Sequence, residues 1–73
     1  MVIECIRFIV SCEDLDKEMI LKVLRNNNIK SIPKTHKDII NYYCIATINE
    51  YLELKNEFNT LNVTVCITIG GTP

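Results

Sequence analysis

Arg7, Tyr43, Lys30, Lys34, His36 and Lys37 are the side chains of this sequence best suited to gripping another molecule. A tyrosine ring offers a stacking surface, and a guanidinium or ammonium can lie over such a ring or hold a phosphate. Other reactive residues are poorly placed for chemistry. The four cysteines, Cys5, Cys12, Cys44 and Cys66, form no C-x-x-C pair, and His36 is the single imidazole, so zinc-ligand spacing is missing. Glu13, Asp14, Asp16 and Glu18 cluster where a helix start explains them, with no nucleophile or base beside them. The expectation is a chain that is not an enzyme and uses no metal and no cofactor.

At 73 residues the chain has the length of one domain, a size that buries only roughly 60% of its unfolded surface. Hydrophobic residues at 48% and charged residues at 23% fit a globular protein, not a disordered one. The formal net charge of -1 excludes the strongly basic balance of a purely electrostatic nucleic-acid binder. Glu4 and Arg7 interrupt the apolar N-terminal run, which has neither the basic region nor the cleavage site of a signal peptide. With no apolar run of membrane-spanning length, the expectation is a cytoplasmic protein whose thiols stay reduced.

The elements that must position these groups begin with the run Asp38–Ile48, the longest β-favouring stretch, read as a central strand. Its even positions, Ile40, Tyr42, Cys44, Ala46 and Ile48, form the core face. Residues 2–10 read as a first strand whose even set points inward, because burying Arg7 unpaired is costly. Ser11 or Asp14 is expected to cap a helix in which Leu15, Met19, Ile20, Val23 and Leu24 make one apolar face, the methionine in the core. Asn26-Asn27-Asn28 ends that helix. Ile29–Ile32 is a short edge strand stopped by Pro33, and a fairly long polar loop, 33–38, leads into the central strand. Asn49 caps a second helix with Tyr51, Leu54, Phe58 and Leu61 on its inner face. Residues 63–69 alternate as a last strand with the odd set inward, and residues 70–73 form a flexible tail beyond a single compact domain, 1–69.

The order strand, helix, strand, strand, helix, strand is the split βαβ pattern. It predicts an α+β, ferredoxin-like βαββαβ sandwich: an antiparallel four-stranded sheet in the order 4-1-3-2 with both helices on one face. Phe8 to Ile32, with Asp14 near the turn, resembles the strand–helix–strand of ACT regulatory domains, which implies an amino-acid-sized ligand at that turn. The same topology with Tyr43 on the third strand is similar to RNA-recognition motifs, which implies stacking of a base on the open sheet face. Acylphosphatase-like enzymes share the strand order, but the turn after strand one is acidic here and repels phosphate. Gly70-Gly71 resembles the tail of ubiquitin-like sulfur carriers.

Parity leaves Ile3, Cys5, Arg7, Ile9, Asn41, Tyr43, Ile45, Thr47, Thr64, Cys66 and Thr68 on a sheet face without helices. Such an apolar face marks an interaction site. The expected function is therefore a small non-enzymatic binding or regulatory module, a homodimer or an inhibitor or adaptor of a larger protein, making its contact through Ile3, Arg7, Ile9, Tyr43 and Ile45. Arg7 is expected to lie over the Tyr43 ring, and Cys5 beside Cys66. The alternatives are single-stranded nucleic acid, RNA above all, held by Tyr43, Arg7 and the basic 30–37 loop with Lys30, Lys34, His36 and Lys37, and an ACT-like small-ligand sensor.

Overall fold

The computed structural model describes residues 4–70. Ile39–Thr47 (β3) is the central strand, and its buried residues Ile40, Tyr42, Cys44 and Ala46 alternate with more exposed ones as the period of two dictates. β1 (Cys5–Glu13) pairs antiparallel with it, Phe8 opposite Cys44 and Val10 opposite Tyr42, so the even faces of both strands coincide. β2 (Lys30–His36) flanks β3 and β4 (Cys66–Ile69) flanks β1, giving the order β2-β3-β1-β4, the expected 4-1-3-2 read from the other edge.

Helices α1 (Lys17–Asn26) and α2 (Ile48–Thr60) pack on the even face, where Ile20, Val23, Leu24, Tyr51, Leu54 and Phe58 complete the core. The rings of Phe8 and Tyr51 meet edge-on with centroids 5.0 Å apart. Asn28, at φ 57, closes α1 in the left-handed conformation, and the Ile29 N–H donates to Leu24 O at 2.9 Å, as asparagine at a helix end permits.

Several expected boundaries move, each for a local reason. β1 runs on through Ser11–Glu13, so neither Ser11 nor Asp14 caps a helix; Ser11 Oγ instead donates to Asn41 Oδ1 across the sheet at 2.6 Å. Asp14–Asp16 forms a 3-10 turn before α1, which throws Leu15 out of phase with the helix face and leaves it 89% exposed. Met19, expected in the core, is 45% exposed. Ile48 is not the end of β3 but the first residue of α2. Thr47, not Asn49, caps that helix: its hydroxyl accepts from Glu50 N at 3.2 Å while Glu50 Oε1 accepts from Thr47 N at 2.9 Å.

Pro33 does not stop β2. The Gly70 N–H donates to Arg7 O at 2.7 Å, which fixes the alternation across the sheet and turns the ring nitrogen of Pro33, opposite Tyr42, outward from the edge. There proline removes no ladder bond. The long loop expected before β3 is therefore strand, closed by a two-residue turn, Lys37-Asp38, with Lys37 at φ 58. β4 begins only at Cys66; Val63, Val65 and Ile67 of the odd set pack against the core, whereas Ile69 does not. Gly70 extends the ladder, while the rest of the expected tail, 71–73, lies outside the described residues.

Candidate functional site

The odd residues of β1 and β3 and the even residues of β2 and β4 share the helix-free face, and the pairings arrange them in rows. One row runs Lys30, Ile45, Arg7. The next runs Ile32, Tyr43, Ile9, Thr68, and the third Lys34, Asn41, Ser11, Cys66. The last holds His36, Ile39 and Glu13. An apolar centre of Ile32, Tyr43, Ile9 and Ile45 thus lies between cations at both sides, Lys30 and Lys34 on the β2 edge and Arg7 on β1. Ile32 and Ile45 are 56% and 51% exposed.

Of the residues expected at a partner surface, Arg7, Ile9, Tyr43 and Ile45 stand together on this face, and Ile3 lies outside the described residues. Arg7 does not cover the tyrosine. It opposes Ile45, one pair along, and the cation over the Tyr43 ring is Lys34, with Nζ 5.5 Å from the centroid. Ile32 and Ile39 were not expected here, yet Ile32 alternates with Lys30 and Lys34 in the sequence as an edge strand with one open face should.

The residues of the nucleic-acid alternative divide. Lys30, Lys34 and His36 share the open face with Tyr43, but Lys37 sits in the β2–β3 turn and lines a separate shallow cleft with Glu13, Asp14 and Asp38. Three carboxylates beside Lys37 oppose a phosphate there. Cys5 and Cys66 are not neighbours either: Cys66 pairs with Ser11, and Cys5 with Thr47 at the other end of β1. All four cysteines are free, Cys5 and Cys66 exposed, Cys12 and Cys44 buried.

Behind the face, burial sets the proton affinities. It pushes the Cys44 thiol up to about 12, and it raises Cys12 together with the charges of Asp16 and Asp14. Burial likewise raises the Tyr42 phenol, whose hydroxyl donates to Lys17 O at 3.2 Å. These groups stay neutral near pH 7 and belong to the core.

An open groove of about 820 Å³ joins the open face to the helix layer around the Lys30 end of β2. Arg7, Lys30, Ile32, Tyr43 and Ile45 line it from the sheet, and Leu21, Arg25 and Ile29 from the helix side. The charged residues of its wall are all basic, so it suits an anion with an apolar or planar body. Among the described residues no three of His, Cys, Asp and Glu gather as a metal site.

No protein-family profile matches the chain, and no curated protein matches its sequence. Solved structures do match its shape. CPII, a nitrogen regulatory PII-like protein from Thiomonas intermedia K12 bound to ADP, AMP and bicarbonate, superposes with a TM-score of 0.76 at 10% identity, over 94% of this chain and 93% of that one. A candidate PII-like signalling protein from Thermus thermophilus gives 0.71 at 10% identity, over 96% of this chain and 89% of that one. CPII bound to ADP, AMP and acetate gives 0.57 at 12% identity, covering 100% of this chain and 95% of that one. At such identities the likeness is one of fold, and it matches the ferredoxin-like split βαβ arrangement described above.

Proposed function

We propose that this chain is a small, non-enzymatic regulatory module of the cytoplasm that acts by protein contact through its open sheet face, with a larger protein or a second copy as its mate. The observation that carries this reading is the row Ile32, Tyr43, Ile9 with Ile45 beside it: an apolar centre left without a helix and bordered by cations. Interfaces favour tyrosine and arginine at their centres with apolar residues excluding water around them. The likeness in fold to PII-like proteins that are called regulatory and signalling supports the same reading.

Ile45→Asp tests it. The residue lies outside the helix-covered core, so the variant should fold, while a carboxylate buried unpaired in a contact weakens the complex. Light scattering and capture of a partner from the host should both report the loss. A folded variant with unchanged mass and unchanged capture would defeat the reading.

The groove favours a second reading, a sensor of a small anionic ligand. Arg7, Arg25 and Lys30 supply positive charge to a wall that also carries Tyr43, and CPII was determined with ADP and AMP bound. Calorimetric titration with ADP and AMP, repeated on Arg25→Ala, tests it: heat lost with the arginine supports the sensor, and no heat from the wild type rejects it.

A further inference from the structure

The two edges of the sheet are protected very differently. β2 presents Pro33 in mid-strand with Lys30, Lys34 and His36 around it, a combination that discourages pairing with another strand. β4 presents Cys66-Ile67-Thr68-Ile69, without proline or charge, and the sequence carries no charged side chain from Phe58 onward. Among the described residues its only guard is its shortness.

The hydrogen-bond alternation says what this edge offers. Gly70 bonds to Arg7, so Thr68 and Cys66 also turn their backbone groups toward β1, and the N–H and C=O of Ile67 and Ile69 point outward. From this geometry we propose that β4 is the pairing edge for a second copy of the chain, joined antiparallel to the mate's β4 about a two-fold axis through Thr68. That register sets Ile67 against Ile69 of the mate on both sides of the axis and satisfies all the outward groups of the strand; axes through Ile67 or Ile69 set one of the two residues opposite a position beyond the mate's strand. A two-fold strand pair also sets each residue against itself or a near neighbour, where like charges repel. The neutral β4 meets that condition, and the lysine-bearing β2 does not.

An axis normal to the sheet keeps both open faces on one side. The result is a single eight-stranded sheet whose helix-free face is twice as wide, presenting two copies of the Ile32, Tyr43, Ile9 row. This pairing is independent of what docks on the face.

Thr68 then faces Thr68 of the mate as a pair whose own hydrogen bonds run elsewhere, with Cα atoms about 4.5 Å apart, within the span of a disulfide. Cys66 lies four residues out of register with its counterpart, about 13 Å away at ~3.3 Å per residue. The experiment uses the full chain with the exposed Cys5 and Cys66 changed to serine and with Thr68→Cys added. Mild oxidation should give a disulfide-linked dimer in high yield, whereas the wild type should not cross-link through Cys66. Ile69→Pro removes an outward N–H that has no partner among the described residues; circular dichroism should report a folded chain, and sedimentation should show a mass halved from that of the wild type. Thr68→Lys, which sets two ammonium groups face to face, should have the same effect should the proline unfold the chain. A monomeric wild type at high concentration, cross-linking through Cys66 in place of Thr68→Cys, or a folded Thr68→Lys chain that keeps the wild-type mass would each overturn the proposal.

Discussion

The Lys34 ammonium sits 5.5 Å from the centroid of the Tyr43 ring, reaching across from the edge strand to the residue diagonal to it, since Ile32 is the direct partner of Tyr43. Both side chains are at the surface, where such a contact stabilises by about 0.5–1 kcal/mol. Lys34→Ala should therefore lower the unfolding free energy by no more than about that amount, as read from the urea midpoint. If the open face is the contact surface, the same substitution should reduce partner capture far more than it reduces stability. Equal, small effects on both would place Lys34 outside the interface.

The α2 cap gives a second prediction. Thr47 and Glu50 exchange hydrogen bonds in a capping box, and Thr47→Ala removes the acceptor for Glu50 N, at a cost of about 1 kcal/mol. The hydrogen bonds from Thr47 hold the Glu50 carboxyl below its ordinary range. A carboxyl with a lowered folded pKa contributes stability above its unfolded pKa and loses it as pH falls through the folded one. The difference in stability between wild type and Thr47→Ala should shrink on acidification, measured by denaturation across the acid range.

Strand periodicity was the most legible signal: parity assigned Ile40, Tyr42, Cys44 and Ala46 to the core, and parity joined to the cost of burying Arg7 assigned Phe8 and Val10. Boundaries were harder wherever two patterns overlapped. Ile48 continues the period of two, and only the Thr47-x-x-Glu50 box says that a helix has begun. Leu15 fits a helical stripe, yet the 3-10 turn before α1 rotates it out to solvent. Pro33 reads as a stop unless the side of the strand that its nitrogen faces is known, and only the paired sheet tells that. The candidate surface was half legible for the same reason: the placing of Arg7, Ile9, Tyr43 and Ile45 on one face follows from strand alternation, but that of Ile32 and Lys34 depends on how far β2 continues.

Single-stranded nucleic acid should not bind with useful affinity. Lys37 sits among carboxylates and the ring of Tyr43 is covered on one side by Lys34, leaving a small cationic edge on a chain of net charge -1. With about three phosphate contacts at most, any binding should follow salt with a slope near about −2 on logarithmic axes. Fluorescence anisotropy with a labelled oligonucleotide at low salt should show no saturation. Saturable binding that Tyr43→Ala abolishes would raise the nucleic-acid reading above protein contact.

Phe8 is fully buried beneath both helices and touches Tyr51 edge-on, so Phe8→Ala should cost about 3–5 kcal/mol. In a domain with so thin a margin this should leave the chain largely unfolded at room temperature, visible as loss of the near-ultraviolet tyrosine signal. A cooperative transition retained near the wild-type midpoint would show that the core tolerates the void.

The buried thiols supply a test against pH. Cys44 is enclosed in the core and its Sγ donates to Tyr42 O at 3.4 Å, while burial lifts its pKa from 9.0 to about 12. A raised folded value leaves stability intact below pH 9, where folded and unfolded chains both hold the proton. Between pH 9 and about 12 the unfolded chain loses its proton first, and stability falls as pH rises. Cys12 moves in the same direction, through burial first and then Asp16 and Asp14. Cys44→Ala should be less stable than wild type at neutral pH because of the space it leaves, yet its stability should decline less steeply on the alkaline side. Alkylation gives an independent check: in the folded chain Cys5 and Cys66 should react under mildly alkaline conditions, and Cys12 and Cys44 only at the rate of unfolding. If Cys44 reacts as fast as Cys66 while the chain remains folded, the thiol is open to solvent, and both the core placement and the alkaline destabilisation drawn from it are wrong.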